Sequence, residues 1–356
     1  MPFQQSQQSQ QSQQSQQSQQ SQQSQSVPAL NHAGSASSAQ ITLALDSVAH
    51  TFPTPPSGPL NQNVVSRDET EKLRRLVPLH RDILLADELS QGLSVEAQGS
   101  DVRILQTGQP GGPTALCTLH SPFKSVEPDA AITRIIDYRW LRTERTNEII
   151  VQQTDILSFL ALAFPMTRDT HPFTMALLDA VLSATGRLVV RAKHLLEVPR
   201  PADLSSLVAP VIRTPAHGAT PSGHASEAWS MAFALEAIVF GRPSRELRMV
   251  AARIEENRIV AGVHYEGDGY AGRVLAAALA PIFAQRLGVT CTAPNVGDIW
   301  QAAGQSGLLS EGSAFKGDPG LQMAASFDST TGGTLGIAMQ LARLECGFND
   351  QTVSST

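Results

Sequence analysis

The sequence predicts a mainly α-helical bundle with a small irregular or β-containing region ahead of it. Three observations carry this. Three long segments, Phe173 to Val198, His224 to Phe240 and Ser244 to Ala261, are rich in helix formers and apolar residues at helical spacing. Proline and glycine fall at the breaks between them, as in Pro199, Pro201, Pro221 and Gly223. The chain has 356 residues and 41% hydrophobic content, enough to bury a sizeable core.

In chain order, residues 1–40 begin with a Gln/Ser repeat over Gln4 to Ser26, a composition that builds no core and reads as a disordered tail. Residues 41–129 form a mixed region with Pro/Ser/Gly loops near Pro53 to Pro59 and Gly108 to Pro113, and short candidate strands at Val102–Thr107 and Thr114–His120. Residues 130–289 read as a helical catalytic domain, with helices starting at Ala130–Arg142 and Asn147–Phe164. The C-terminal extension, 290–356, is Gly- and Ser-rich with one candidate helix at Leu335–Leu344.

Composition excludes several classes. The net charge is −6 and no broad basic face is present, so nucleic acid is not an expected partner. Cys117, Cys291 and Cys346 are far apart and lack metal-site or paired spacing. The N-terminus has neither a basic n-region nor an apolar h-region, so no signal peptide is expected. No transmembrane segment is expected either: Ile156 to Met166 is short, Ala225 to Phe240 carries Glu227 and Glu236, and Val274 to Ala284 is brief and interrupted by Pro281. These features fit the cytoplasm and leave the compartment otherwise open.

Chemistry concentrates in three short segments: Lys193 with Arg200-Pro201, Pro221-Ser222-Gly223-His224, and Arg258 with His264 and Asp268. They supply three cations, a hydroxyl, a glycine amide and two imidazoles, which is the inventory of a pocket for a tetrahedral oxyanion. Lys193 and Arg200 lie seven residues apart, about two turns and roughly 10 Å if the geometry stays near-helical. Pro199 and Pro201 end the helix near Arg200. Gly223 opens a helix whose N-terminal N–H groups favour anions. Arg258 falls on the same inward stripe as Leu247, Val250, Ala251, Ile254 and Ala261, and a lone buried guanidinium calls for an anion. His264 and Asp268 share a face if their stretch is helical. Taken singly, Lys193 and Arg200 read as helix-face charges paired with Glu197 or solvent, and Asp268 as a turn residue. Their conjunction overrides those readings.

The three segments resemble the signature of the superfamily that joins type 2 phosphatidic acid phosphatases, bacterial non-specific acid phosphatases and vanadium-dependent haloperoxidases, written KxxxxxxRP, PSGH and SRxxxxxHxxxD. The resemblance covers about Ile149 to Leu287. Asn257 departs from the pattern, which has Ser there. The resemblance implies that Lys193, Arg200 and Arg258 hold the anion's oxygens with Ser222 and the Gly223 amide. His264 becomes a nucleophile in a phosphatase or the ligand of vanadium in a haloperoxidase, and His224 the general acid–base. Asp268 would position His264 or balance Arg200.

His217, seven residues before His224, stands where the haloperoxidase branch carries a further active-site side chain, a second His in bromide- and iodide-oxidising members. Val190 stands where some haloperoxidases carry Trp. The expectation is therefore a vanadate-dependent haloperoxidase-like enzyme acting on hydrogen peroxide and bromide or iodide. The rival is a soluble acid phosphatase that needs no cofactor and forms a phosphohistidine at His264. Either is compatible with a homo-oligomer.

Overall fold

The computed structural model describes residues 67–292 and 321–348. The Gln/Ser tail assigned to 1–40 lies outside the described residues, as does part of the C-terminal extension. The chain divides at Arg75 into two compact units. Of the first, the described part is a short helix, α1 (Glu69–Arg75), with acidic residues in its first turn and basic ones in its last, complementing the helix dipole. Everything below concerns the second unit.

This unit is mainly helical, with a small three-stranded antiparallel sheet near its N-terminal side. It opens with α2 (Pro78–Ser90), a helix inside the region read as mixed, where proline at the first helical position starts the helix. The strands are β1 (Leu93–Gln98), β2 (Asp101–Gln106) and β3 (Thr114–Leu119), in order β1-β2-β3. The two candidate strands match β2 and β3 within a residue, whereas β1 was passed over. Its burial does not alternate cleanly, because it is an edge strand with an exposed second half.

Then follow α3 (Pro128–Asp137), a 3₁₀ turn at Tyr138–Leu141, α4 (Arg142–Val151) and the single turn α5 (Leu157–Leu160). The helix expected over Asn147–Phe164 is thus two pieces. The break at 152–156 leaves the Gln152 carbonyl outside any helical ladder.

The core is built on four helices: α6 (Pro172–Leu196), α8 (Gly223–Leu235, continued as a π-turn to Phe240), α9 (Arg245–Val260) and α10 (Glu266–Arg286). The single turn α7 (Pro201–Leu204) sits between α6 and α8. Helix α8 packs against α6, α9 and α10 and is apolar nearly all round, as a central helix must be. Gly272 sets the α8–α10 approach: a methyl there would lie 2.9 Å from Ala225 Cβ, the Ser222 carbonyl oxygen and the Ser226 nitrogen. A two-stranded sheet, β4 (Val289–Thr292) with β5 (Gln322–Phe327), and a final helix α11 (Gly333–Glu345) complete the unit. Helix α11 packs on α6, and the Glu345 carboxylate accepts the N–H groups of Phe173 and Thr174 at 2.8 and 2.9 Å.

The stretch 172–204 is long and apolar enough to cross a membrane by length and composition, with an 18-residue window of mean hydropathy 1.5, which differs from the expectation of no such run. Within the fold, 67% of its apolar window is buried.

Candidate active site

Each sequence-selected group except His217, which lies in the loop before Gly223, sits at or near the end of a helix. Lys193 is in the last turn of α6, which stops at Glu197 in the left-handed region, φ 46°. Arg200 is the residue before α7, with its backbone N–H held by the Asp203 carboxylate at 2.9 Å. Ser222 caps α8, its hydroxyl oxygen accepting from the Ala225 N–H at 3.4 Å, which leaves the hydroxyl proton available. Arg258 lies in the last turn of α9. His264 precedes α10 and Asp268 lies in its first turn, so the two meet across a helix start rather than along a helix face.

Four hydrogen bonds assemble Asp268 into the centre. Its carboxylate accepts from His264 Nδ1 at 3.0 Å, the Tyr265 N–H at 2.9 Å and the Thr220 hydroxyl at 2.5 Å, while its carbonyl accepts from the Ser222 N–H at 2.9 Å. It thereby ties the Pro-Ser-Gly-His turn to the His264 segment. The Asp268 carboxylate bonds His264 directly, and its charge also acts on Arg200 without an ion-pair contact.

With Nδ1–H given to Asp268, His264 carries its lone pair on Nε2, which lies 3.0 Å from Arg200 Nη1. Burial, then the Arg200 and Lys193 charges, hold this imidazole well below its ordinary pKa. It is a neutral base or ligand at physiological pH.

Arg200 bridges outward as well. Its Nη1 donates to the Val263 carbonyl at 2.6 Å, its Nε to the His217 carbonyl at 3.1 Å, and its Nη2 is 3.2 Å from His217 Nδ1. His217 is exposed; its backbone carbonyl is the acceptor that joins it to this guanidinium, while its Nδ1 lies 3.2 Å from both Arg200 Nη2 and the Gly218 carbonyl. Lys193 donates to the Gly218 and Ala219 carbonyls at 3.0 and 2.8 Å, and burial followed by the nearby Arg200 charge lowers its pKa well below normal.

His224 faces Gln152, its Nε2 lying 2.9 Å from the backbone carbonyl. A carbonyl only accepts, so Nε2 carries the proton and Nδ1 is left basic. Burial first, then the Arg258 charge, depress its pKa to about 3. Arg258 donates through Nη2 to the Ile149 carbonyl at 3.2 Å and to Gln152 Oε1 at 3.0 Å. Its Nε and Nη1 have no hydrogen-bond partner among the described residues, and burial alone lowers its pKa to about 9.

Lys193, Arg200 and Arg258 are each at most 4% exposed, yet none forms an ion pair with a carboxylate among the described residues. Three buried cations with no carboxylate in ion-pair contact, and with unpartnered guanidinium donors on Arg258, fit phosphate or vanadate and repel a metal cation, even though the Asp268 charge acts on Lys193 and Arg200 from further off. No group of His, Cys, Asp and Glu suited to hold a metal ion occurs among the described residues.

Residues 172–288 match the sequence model of the PAP2 superfamily. The chain carries a PAP2 superfamily domain. No curated protein matches the chain. The PAP2 domain contains all nine residues chosen from the sequence, from Lys193 to Asp268. The superfamily implies phosphatase- or haloperoxidase-type chemistry on phosphate-like anions.

Three residues at the PAP2 site escaped sequence reasoning. Thr220 holds Asp268 and precedes the signature by one residue. Gln152 was hidden inside an expected continuous helix. Glu227, one turn past Gly223, has its pKa pushed up to about 7 by burial, against the pull of Lys193. The signal for Glu227 was a lone charge on an otherwise apolar helix whose other acid, Glu236, bonds Arg248 at 2.8 Å.

Proposed function

We propose that this chain is a vanadate-dependent haloperoxidase-like enzyme that oxidises bromide or iodide with hydrogen peroxide. The observation that carries this reading is that two imidazoles converge on one guanidinium: Arg200 lies 3.0 Å from His264 Nε2 and 3.2 Å from His217 Nδ1. A phosphatase needs His264 and His224, whereas His217 stands outside that requirement and beside the same anion-holding group.

The residues present fit vanadate, because the unpartnered donors of Arg258 and the neutral His264 Nε2 match its oxygens and its metal centre. Lys193, Arg200, Arg258, Ser222 and the Gly223 amide would hold the oxygens, and His264 Nε2 the vanadium. Bound vanadate supplies Lewis-acid activation of hydrogen peroxide toward two-electron oxidation of halide to a hypohalous species.

The remaining work belongs to the chain. Asp268 fixes the His264 tautomer and aims Nε2. His224 offers Nδ1 as the base that takes a proton from hydrogen peroxide. An anion beside Arg258 offsets the charge that depresses His224 and raises its pKa toward the working range. His217, on the exposed side of Arg200, passes protons between solvent and the site.

The test is halogenation of an organic trap by the purified protein with hydrogen peroxide and bromide or iodide, before and after loading with orthovanadate, using His264→Ala as the blank. Vanadate-dependent halogenation lost in that variant supports the reading, and His217→Ala is expected to lower it at least tenfold. Absence of halogenation at every vanadate level, with hydrolysis of a phosphomonoester that vanadate inhibits, would move the assignment to the phosphatase, in which His264 is the nucleophile and His224 protonates the leaving group.

A further inference from the structure

We infer that Gln152, which lies outside the PAP2 domain, is part of the oxyanion site, its side-chain amide donating to the same tetrahedral anion that Arg258 holds. This rests on the reading of the site as an anion pocket, and it holds for vanadate and phosphate alike.

Gln152 is 1% exposed and touches the pocket at both ends. Its backbone carbonyl holds His224 Nε2 at 2.9 Å, and its side-chain oxygen accepts from Arg258 Nη2 and Asn257 Nδ2, each at 3.0 Å. Two donors converging on one atom require that atom to be the amide oxygen. Asn257 is itself oriented by the Glu148 carboxylate, which accepts from Nδ2 at 2.9 Å. The orientation of the Gln152 amide is therefore fixed. Its Nε2 is left buried with no hydrogen-bond partner among the described residues, as are Nε and Nη1 of the Arg258 bonded to it.

Buried donors are almost always satisfied, because an unpartnered one forfeits its bonds to water without replacement. Here the unpartnered donors sit on two side chains bonded to each other, and no carboxylate makes an ion-pair contact with Arg258 or the other two cations of the pocket. A tetrahedral oxyanion, rich in lone pairs and lacking donors when fully ionised, satisfies such a set together. The same geometry accounts for Asn257 at a position where the superfamily pattern has Ser: its amide reaches Gln152 and pins it.

The experiment measures the dissociation constants of inorganic orthovanadate and inorganic phosphate for the full chain and for Gln152→Leu, together with Tm with and without each anion. The expected result is binding weakened about tenfold or more in Gln152→Leu. The anion-induced rise in Tm should shrink accordingly. Gln152→Met gives the same readout if the leucine variant fails to fold. A residue that only braces the fold would lower Tm of the unliganded protein while leaving affinity and the anion-induced rise unchanged, and that outcome would overturn the inference. A folded wild-type protein that binds neither anion would sink the anion-pocket reading itself, and this inference with it.

Discussion

Two groups of arginines are buried to the same depth in this molecule and treated in opposite ways. On one side, Arg145, Arg248 and Arg273 each bond a glutamate, Glu256 at 3.0 Å, Glu236 at 2.8 Å and Glu255 at 2.8 Å. On the other, Arg200 and Arg258 meet only carbonyl and amide oxygens and histidine nitrogens. Exposure is 1–2% in all five, so burial alone does not distinguish them. The paired set braces helices: Glu255 holds Arg273 and the Trp229 indole N–H at 2.7 Å, linking α9, α10 and α8. The unpaired set is arranged around a charge the chain does not supply. Buried arginine marks function only where its carboxylate is missing.

The largest expected effect lies on the paired side. Glu255→Ala deprives Arg273 of its carboxylate and should cost about 3–5 kcal/mol of stability, seen as a lower urea midpoint. Next comes its counterpart in the pocket. Arg258→Met should cost less than about 1 kcal/mol, or stabilise, since a buried guanidinium with no carboxylate partner and two unpartnered nitrogens is replaced by apolar volume, while orthovanadate binding falls about a hundredfold. Equal stability losses in the two variants would erase the distinction.

A third effect concerns acid. The His224 pKa is depressed from 6.5 to about 3 in the folded protein, so its contribution to stability is present above pH 6.5 and lost as pH falls toward 3. Phosphate should protect against this acid unfolding, because the anion favours the imidazolium, and Arg258→Met should abolish the protection. Urea titrations across pH 3–7 with and without phosphate check both.

The smallest effect belongs to Glu227, a carboxyl with no ion pair among the described residues. Its pKa is raised from 4.5 to about 7, so its contribution is held below pH 4.5 and lost as pH rises through 7. Glu227→Gln should therefore stabilise at pH 8 relative to pH 5, by about 1–2 kcal/mol after solvent screening. A Tm difference independent of pH would contradict this.

Much of the fold was legible because its helices are long and strongly periodic. The expected Phe173–Val198 and Ser244–Ala261 match α6 and α9 to within two residues. Boundaries were legible where backbone chemistry forces them: Pro201 opens α7, and Ser222 caps α8. The break after Val151 is not legible, because no proline or glycine marks it; the polar residues there, Gln152-Gln153-Thr154-Asp155, end the helix through contacts such as the Asp155 carboxylate on the Ser158 N–H and the His224 bond to the Gln152 carbonyl. For the site, the sequence supplied the charges and imidazoles that fall in the three motif segments, with Ser222 and Gly223 between them, but not Glu227, which lies outside any motif. It could not supply Gln152 or Thr220, because a neutral side chain outside a motif carries no such signal. Nor could it show the end-on meeting of His264 and Asp268, which depends on where α10 starts.

The grip of Glu345 on the first turn of α6 carries a consequence for anyone dissecting this protein. The matched region ends at 288, but the helix that bears Lys193 begins in a contact made from beyond that point. A fragment trimmed to 172–288 would expose the apolar side of α6 that meets α11 and remove Gln152 along with α4. Homology marks out a stretch of ancestry here; the folding unit is wider, and a biochemist who cuts at the edges of the first will have cut through the second.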